Sequence, residues 1–292
     1  MKLTCHSEYG ILKSVYLKKV ESAFVDEKTV SKQWKELNYL SKPDLEVGIK
    51  EYAEFEEIIK SVGADIKFFE HNESLSLDSV YCRDASIATD HGLILCNMGK
   101  NARMNEPEIA KKIYQQNGEK ILGTIEHPGT LEGGDVAWLD DKTLAVGRTY
   151  RTNDSGIEQL RSFLQPHGIK VIQVDLPHYK GPFDVFHLMS ILSPIDKDLA
   201  VVYSPLIPVS FRELLIERGF ALVEVPDEEF ESMGCNVFAL SPRKCLMVSG
   251  NSITRKKLEE AGATVYEYDG KEISVKGGGG PTCLTRPLKR EI

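Results

Sequence analysis

Apolar and polar positions along the chain fall into a phrase that recurs four times: a polar residue, two apolar strand patterns separated by a turn, an amphipathic helix pattern, and a third strand pattern. The clearest copy opens at Glu132, with strands over 135–139 and 143–149, a helix over 156–168 and a strand over 170–176. The next opens at His187, with strands over 188–194 and 199–205, a helix over 211–219 and a strand over 221–227. Another opens at Asn236, with strands over 237–242 and 244–250, a helix over 252–262 and a strand over 264–269. An earlier copy opens near Asp84, with strands over 85–90 and 92–99, a helix over 106–118 and a strand leading into 124–129. Gly168, Gly219 and Gly262 end three of these helices, where a left-handed cap costs least for a residue without a Cβ.

The remaining segments make a fifth copy. CLTRPL supplies its first strand, and YGILKSVYLKKV with the helix pattern in DLEVGIKEYAEFEEIIKSVG supplies the rest. The openings Asp84, Glu132, His187, Asn236 and Cys283 lie 48, 55, 49 and 47 residues apart. Modules of that period set around an axis would aim equivalent positions at its centre. The spacing therefore predicts an α/β fold of five modules, a pseudo-fivefold propeller forming one domain over 1–292 and closed by the N- and C-terminal segments. The competing reading is that this cadence is common to α/β proteins and that the polar residues merely open strands. It leaves the residue types at the openings unexplained.

Composition narrows the function. At 292 residues the chain can bury a core without staples. A net charge of -8 argues against a nucleic-acid or anionic membrane partner. The N-terminus lacks an apolar signal region, and no window approaches about 18 consecutive apolar residues, so a soluble, cytoplasmic protein is expected. The six cysteines, Cys5, Cys82, Cys96, Cys235, Cys245 and Cys283, form no C-x-x-C pair, which argues against a zinc knuckle or a disulfide framework. Most read as small buried hydrophobes.

Cys283 differs, because KGGGGPTC leaves the backbone before it free of side chains. Substrate could approach closely there and meet backbone N–H groups. A phosphate-binding loop would need lysine after the glycines, whereas Lys276 precedes them. A thiol nucleophile needs a proton acceptor, and its leaving group a donor. In its apolar surround His187 alone would read as a core residue, but of the seven histidines it has the module register, which makes it the acid–base candidate. Asp84 and Glu132 would singly read as helix caps or surface acids. As a pair flanking Cys and His they could accept the N–H groups of a planar cation and hold its carbon in line with sulfur. Asp135, in the same turn as Glu132, receives no role.

The motifs DSVYCRD, LEGGDV, GRTYRTN, FHLMS and GGGGPTC resemble, in order and over nearly the whole chain, the pentein superfamily, which includes dimethylarginine dimethylaminohydrolases, arginine deiminases and glycine amidinotransferases. The resemblance implies Cys283 as nucleophile, His187 as general acid and then base, Glu132 supporting His187 and substrate, and Asp84 binding the guanidinium. It also implies that Arg151 and Arg103 hold an α-carboxylate with their planar forks, and that Asp78 lines the same pocket and meets an α-amino group. No metal or organic cofactor is implied. The partner is a small guanidino or ureido amino acid, and a homodimer is compatible with the fold. Two positions depart from the relatives: Arg83 stands where dimethylarginine hydrolases carry a second acid, and Met189 where arginine deiminases carry one. These departures leave arginine, N-methylated arginine and citrulline as substrates, with amidino transfer and a non-catalytic binding protein as rival readings. An inward Met189 would offer soft apolar surface to a methyl group. Residues 25–44, with Trp34 and Tyr39, read either as a lid or as a packed surface helix.

Overall fold

The computed structural model describes residues 2–292. Four three-stranded sheets repeat one topology: Ser86–Thr89, Gly92–Leu95 and Ile121–Thr124; Val136–Asp140, Thr143–Arg148 and Lys170–Asp175; Leu192–Asp196, Leu199–Val202 and Ala221–Glu224; Phe238–Ser241, Lys244–Val248 and Thr264–Tyr268. In each, the first two strands are antiparallel and the third pairs parallel with the second. Parallel pairing demands a crossover, supplied here by Glu106–Gln116, Asp154–Leu164, Val209–Glu217 and Ser252–Glu260. In the fifth sheet Thr285–Glu291 lies antiparallel to Ile11–Leu17, which pairs parallel with Asp65–Phe68 after the helix Leu45–Ser61. Leu3–Thr4 adds a short outer strand to it. The molecule is the five-module α/β propeller that the spacing predicts. No helix among the described residues is long and apolar enough to cross a membrane.

The glycine signal extends further than the sequence pattern indicates: Gly63 and Gly118, like Gly168, Gly219 and Gly262, follow a helix with positive φ. One expectation needs correction. Residues 188–190 are not the start of a strand but a short 3-10 turn, and the strand begins at Leu192. The chain must first turn the His187 side chain to the axis before it can run outward. The core lies between each sheet and its helix; in the second module Leu144 and Val146 face Ile157, Leu160 and Leu164, all fully buried.

At the axis each module hands a hydrogen bond to the next. Gly133 N–H donates to Asp84 O at 2.9 Å, Leu188 N–H to Asp135 Oδ1 at 3.0 Å, and Val237 N–H to Ser193 Oγ at 3.1 Å. Thr282 N–H donates to Asn236 Oδ1 at 3.0 Å, and Arg83 N–H to Cys283 O at 3.2 Å, which closes the ring. Further along the strands three buried arginines gather around one acid. Arg83 Nη2 meets Glu8 Oε2 at 2.8 Å, Arg286 Nη1 donates to Ser86 O at 2.9 Å, and Arg290 Nη1 to Ala239 O at 2.8 Å. Arg290 is held so far from water that burial pulls its pKa down to about 9 against the attraction of Glu8.

Ser193 is fully buried, and its hydroxyl also donates to Cys235 O at 2.7 Å. Ser193→Ala would leave a buried N–H and a buried carbonyl without that partner, so urea denaturation is expected to show a loss of about 1–3 kcal/mol.

Candidate active site

One pocket opens on the ring, lined by Asp84, His187, Asn236 and Cys283, with Glu132 fully buried behind His187. Each of these residues sits at a module opening, so the fold itself brings together positions far apart in sequence. Cys283 is half-buried at the end of the glycine run. Two of its N–H groups turn inward rather than on the pocket: those of Gly278 and Gly279 donate to Ser274 O at 2.9 and 3.1 Å. Glycine is needed for close packing instead, since a Cβ on Gly279 would stand 2.6 Å from the Tyr81 ring and one on Gly280 2.5 Å from Asn236 Oδ1.

His187 Nε2 lies 2.8 Å from Glu132 Oε2. The other ring nitrogen, Nδ1, faces Gly134 and Asp84, and any side chain at Gly134 would overlap it. Burial alone would lower the His187 pKa, but Asp135, Glu132 and Asp84 push it up to about 9. Burial would likewise raise Glu132, yet the His187 hydrogen bond and charge, with Arg151 and Arg103, hold it down to about 2. Histidine and glutamate therefore form an ion pair at neutral pH. Asp135, unassigned from sequence, is fully buried; it accepts from Thr149 Oγ1 at 2.7 Å and from Leu188 N–H, so it fixes the turn that presents His187. Burial raises the Cys283 pKa and Asp84 adds to this, while Thr282, Asn236 and Arg83 oppose it. The thiol is the favoured form of the free protein.

Asp84 offers one carboxylate oxygen to the pocket. Its Oδ2 is 2.5 Å from Arg103 Nη1, whereas its buried Oδ1 has no hydrogen-bond partner among the described residues. A planar cation with N–H donors fits that vacancy. Arg103 does line the pocket, but its guanidinium is committed: Nε and Nη2 clasp Glu106 at 2.8 Å each, and Nη2 also donates to Tyr81 O. The expectation that it holds an α-carboxylate is corrected on that ground, because two buried acids already neutralise it. The i,i+3 spacing of Arg103 and Glu106 is the signal in the sequence that could have shown this.

Arg151 is differently placed. Its contacts to Glu132 Oε1 and Asp184 O are long, at 3.5 and 3.4 Å, which leaves its fork available at the pocket wall. Asp78 lines the pocket but is paired with Lys100 Nζ at 2.6 Å, a lysine that sequence reasoning did not single out. Met189 is buried with its surface on the pocket, and Arg83 turns away down the axis to Glu8. Within residues 25–44, Glu27–Gln33 is a short surface helix, Tyr39 is buried, and Leu37, Asn38 and Leu40 stand at the pocket wall.

Asp84, Glu132 and His187 bring one ligand atom each within 4.8 Å of one another, close enough for a metal ion. The charges oppose it: Arg103 is bound to Asp84, Arg151 and the His187 imidazolium to Glu132, so a cation would have to displace three others.

The family model described as N,N dimethylarginine dimethylhydrolase, eukaryotic, matches residues 22–290. The N(G),N(G)-dimethylarginine dimethylaminohydrolase of Pseudomonas aeruginosa is 27% identical over 248 residues, covering 85% of this chain and 91% of that protein. The solved structure of the Pseudomonas aeruginosa enzyme as a mutant complexed with citrulline superposes with a TM-score of 0.78 at 23% identity, covering 95% of this chain and all of that one. SxtG, an amidinotransferase of Microseira wollei, superposes with a TM-score of 0.81 at 15% identity over 99% of this chain and 98% of that one, which shows the shared fold.

The two shifted pKa values set a stability window. Glu132 contributes stability above its ordinary value of 4.5, lost as pH falls toward about 2; His187 contributes below 6.5, lost as pH rises through about 9. The pair is expected to stabilise most between these ordinary values. NMR titration of the imidazole should find it protonated past neutrality, and Glu132→Gln should lower its midpoint by about one unit or more.

Proposed function

Since the chain belongs to the dimethylarginine dimethylhydrolase family, whose named relatives are amidine hydrolases, we propose that it hydrolyses the guanidino group of arginine or Nω-methylated arginine, giving citrulline and ammonia or an amine. The observation that carries the reading is the unpartnered, buried Oδ1 of Asp84 beside a His–Glu ion pair and a half-buried thiol. Met189 supports the alkylated substrate, since a thioether wall suits an N-methyl group and no second acid competes for the guanidinium at Arg83. Arg151 is the fork that supports binding of an α-carboxylate.

The chemistry follows from the charges. A bound guanidinium offsets Asp84, which otherwise disfavours the thiolate, so Cys283 loses its proton to solvent as substrate enters. The sulfur attacks the central carbon and an S–C bond forms. The His187 imidazolium gives its Nδ1 proton to the departing nitrogen, and the C–N bond breaks. Neutral His187 then takes a proton from water, whose oxygen adds to the same carbon. Collapse breaks the S–C bond, and the oxygen's remaining proton returns to sulfur. The balance is substrate plus water to a ureido product plus amine. Glu132 stays ionised throughout and keeps the ring oriented.

Mass-spectrometric product analysis with arginine, monomethylarginine, dimethylarginine, citrulline and agmatine, with and without an acceptor amine, tests this. Citrulline appearing without acceptor supports hydrolysis; products only with acceptor indicate amidino transfer; ornithine from citrulline indicates ureido hydrolysis; no turnover overturns the reading. Cys283→Ser is expected to lower turnover by about 10⁴-fold or more, since an alcohol is far less ionised at neutral pH. Arg151→Ala should raise KM for the amino acids about 10–100-fold, the worth of a charge-assisted hydrogen bond, and leave agmatine, which has no carboxylate, little affected.

A further inference from the structure

Asn236 opens the fourth module and is the one opening without a part in the chemistry so far. It is buried, and its amide has a fixed set of partners. Oδ1 accepts from Thr282 N–H at 3.0 Å and from Thr282 Oγ1 at 2.8 Å, while Nδ2 lies 3.4 Å from Cys283 Sγ. The orientation is settled by chemistry. A backbone N–H can only donate, so the atom it meets is the amide oxygen, and the NH₂ is left facing sulfur. An NH₂ group meets sulfur only as a donor, and a donor is worth more to a thiolate than to a thiol. Gly280 is glycine because this amide fills the space a Cβ would need. One side chain thus grips the backbone just before the nucleophile and the nucleophilic atom itself.

We propose that Asn236 is a positioning residue for the nucleophile, clamping Thr282, through its backbone N–H and hydroxyl, with its carbonyl and holding the thiolate toward the pocket through its NH₂. The proposal rests on Cys283 being the nucleophile. Charged or titratable groups around the sulfur include Asp84, Arg83, Tyr81 and Tyr268, with His187 lining the same pocket. Asn236 differs from all of them in carrying no charge at any pH, so its effect on the thiolate is constant across the range in which the enzyme would work.

The test is the pH dependence of Cys283 alkylation by iodoacetamide, followed by mass spectrometry of the Cys283 peptide, in the full chain and its variants. Asn236→Asp keeps an acceptor for Thr282 and replaces the donor at sulfur by a carboxylate oxygen. It is expected to raise the Cys283 pKa by about one unit or more, slowing alkylation below that pKa about tenfold, with kcat falling more than KM rises. Asn236→Ala is expected to shift it in the same direction by less. An unchanged alkylation profile in Asn236→Asp with a native melting temperature overturns the proposal. Should that variant melt far below the wild type, the profile of Asn236→Ala decides in the same way. Alkylation needs no substrate, so failure to turn over any guanidine would sink the hydrolase reading and leave this measurement intact.

Discussion

Five chain segments begin at one axis, too close together for water to reach their backbone polar groups, so each must find its partner in the neighbouring module. The circle of bonds from Gly133 to Asp84, Leu188 to Asp135, Val237 to Ser193, Thr282 to Asn236 and Arg83 to Cys283 is the result. The functional groups inherit this order. The His187–Glu132 pair joins two modules, the Asn236–Cys283 contact joins two others, and none of these residues can move without disturbing a neighbour that also faces the pocket.

Charge is managed in the same confined space. A buried carboxylate without a partner would be too costly to keep ionised, so Asp84 has Arg103, Glu132 has His187 and Arg151, and Asp78 has Lys100. Asp84 Oδ1 is a buried acceptor without a hydrogen-bond partner among the described residues, and it faces the histidine's Nδ1 side across Gly134. Beneath the thiol the balance reverses, with Arg83, Arg286 and Arg290 sharing Glu8. Acid above and base below give the axis a polarity that favours positive charge only at the open end.

Much of this was legible in the sequence because spacing and glycine positions depend on local rules. Helices need left-handed caps, strands need apolar runs, and a regular period forces equivalent residues together, which is why register and residue type together single out Asp84, Glu132, His187 and Cys283, residues that stand around one pocket. What was hidden depends on where long side chains turn. Arg103 and Arg151 look alike in sequence, yet one is clasped by Glu106 and the other is loosely held. Arg83 is adjacent to Asp84, but in the turn before the strand at Ser86 their side chains part, one to Glu8 and the other to Arg103. Asp135 and Asn236 were at the right positions; their roles appear only with the Leu188 and Thr282 N–H groups in view.

The fifth sheet ties the strand that follows Cys283 to Ile11–Leu17, residues from far earlier in the sequence. The four modules that lie between them can assemble in order, but the earlier strand waits for its partner until all four have been made. Cys283 is therefore joined to the pocket by the same event that completes the ring. One strand, Thr285–Glu291, thus both closes the ring and tethers Cys283 to it, whereas Asp84, Glu132 and His187 each stand at the opening of a module whose own three strands lie together in sequence.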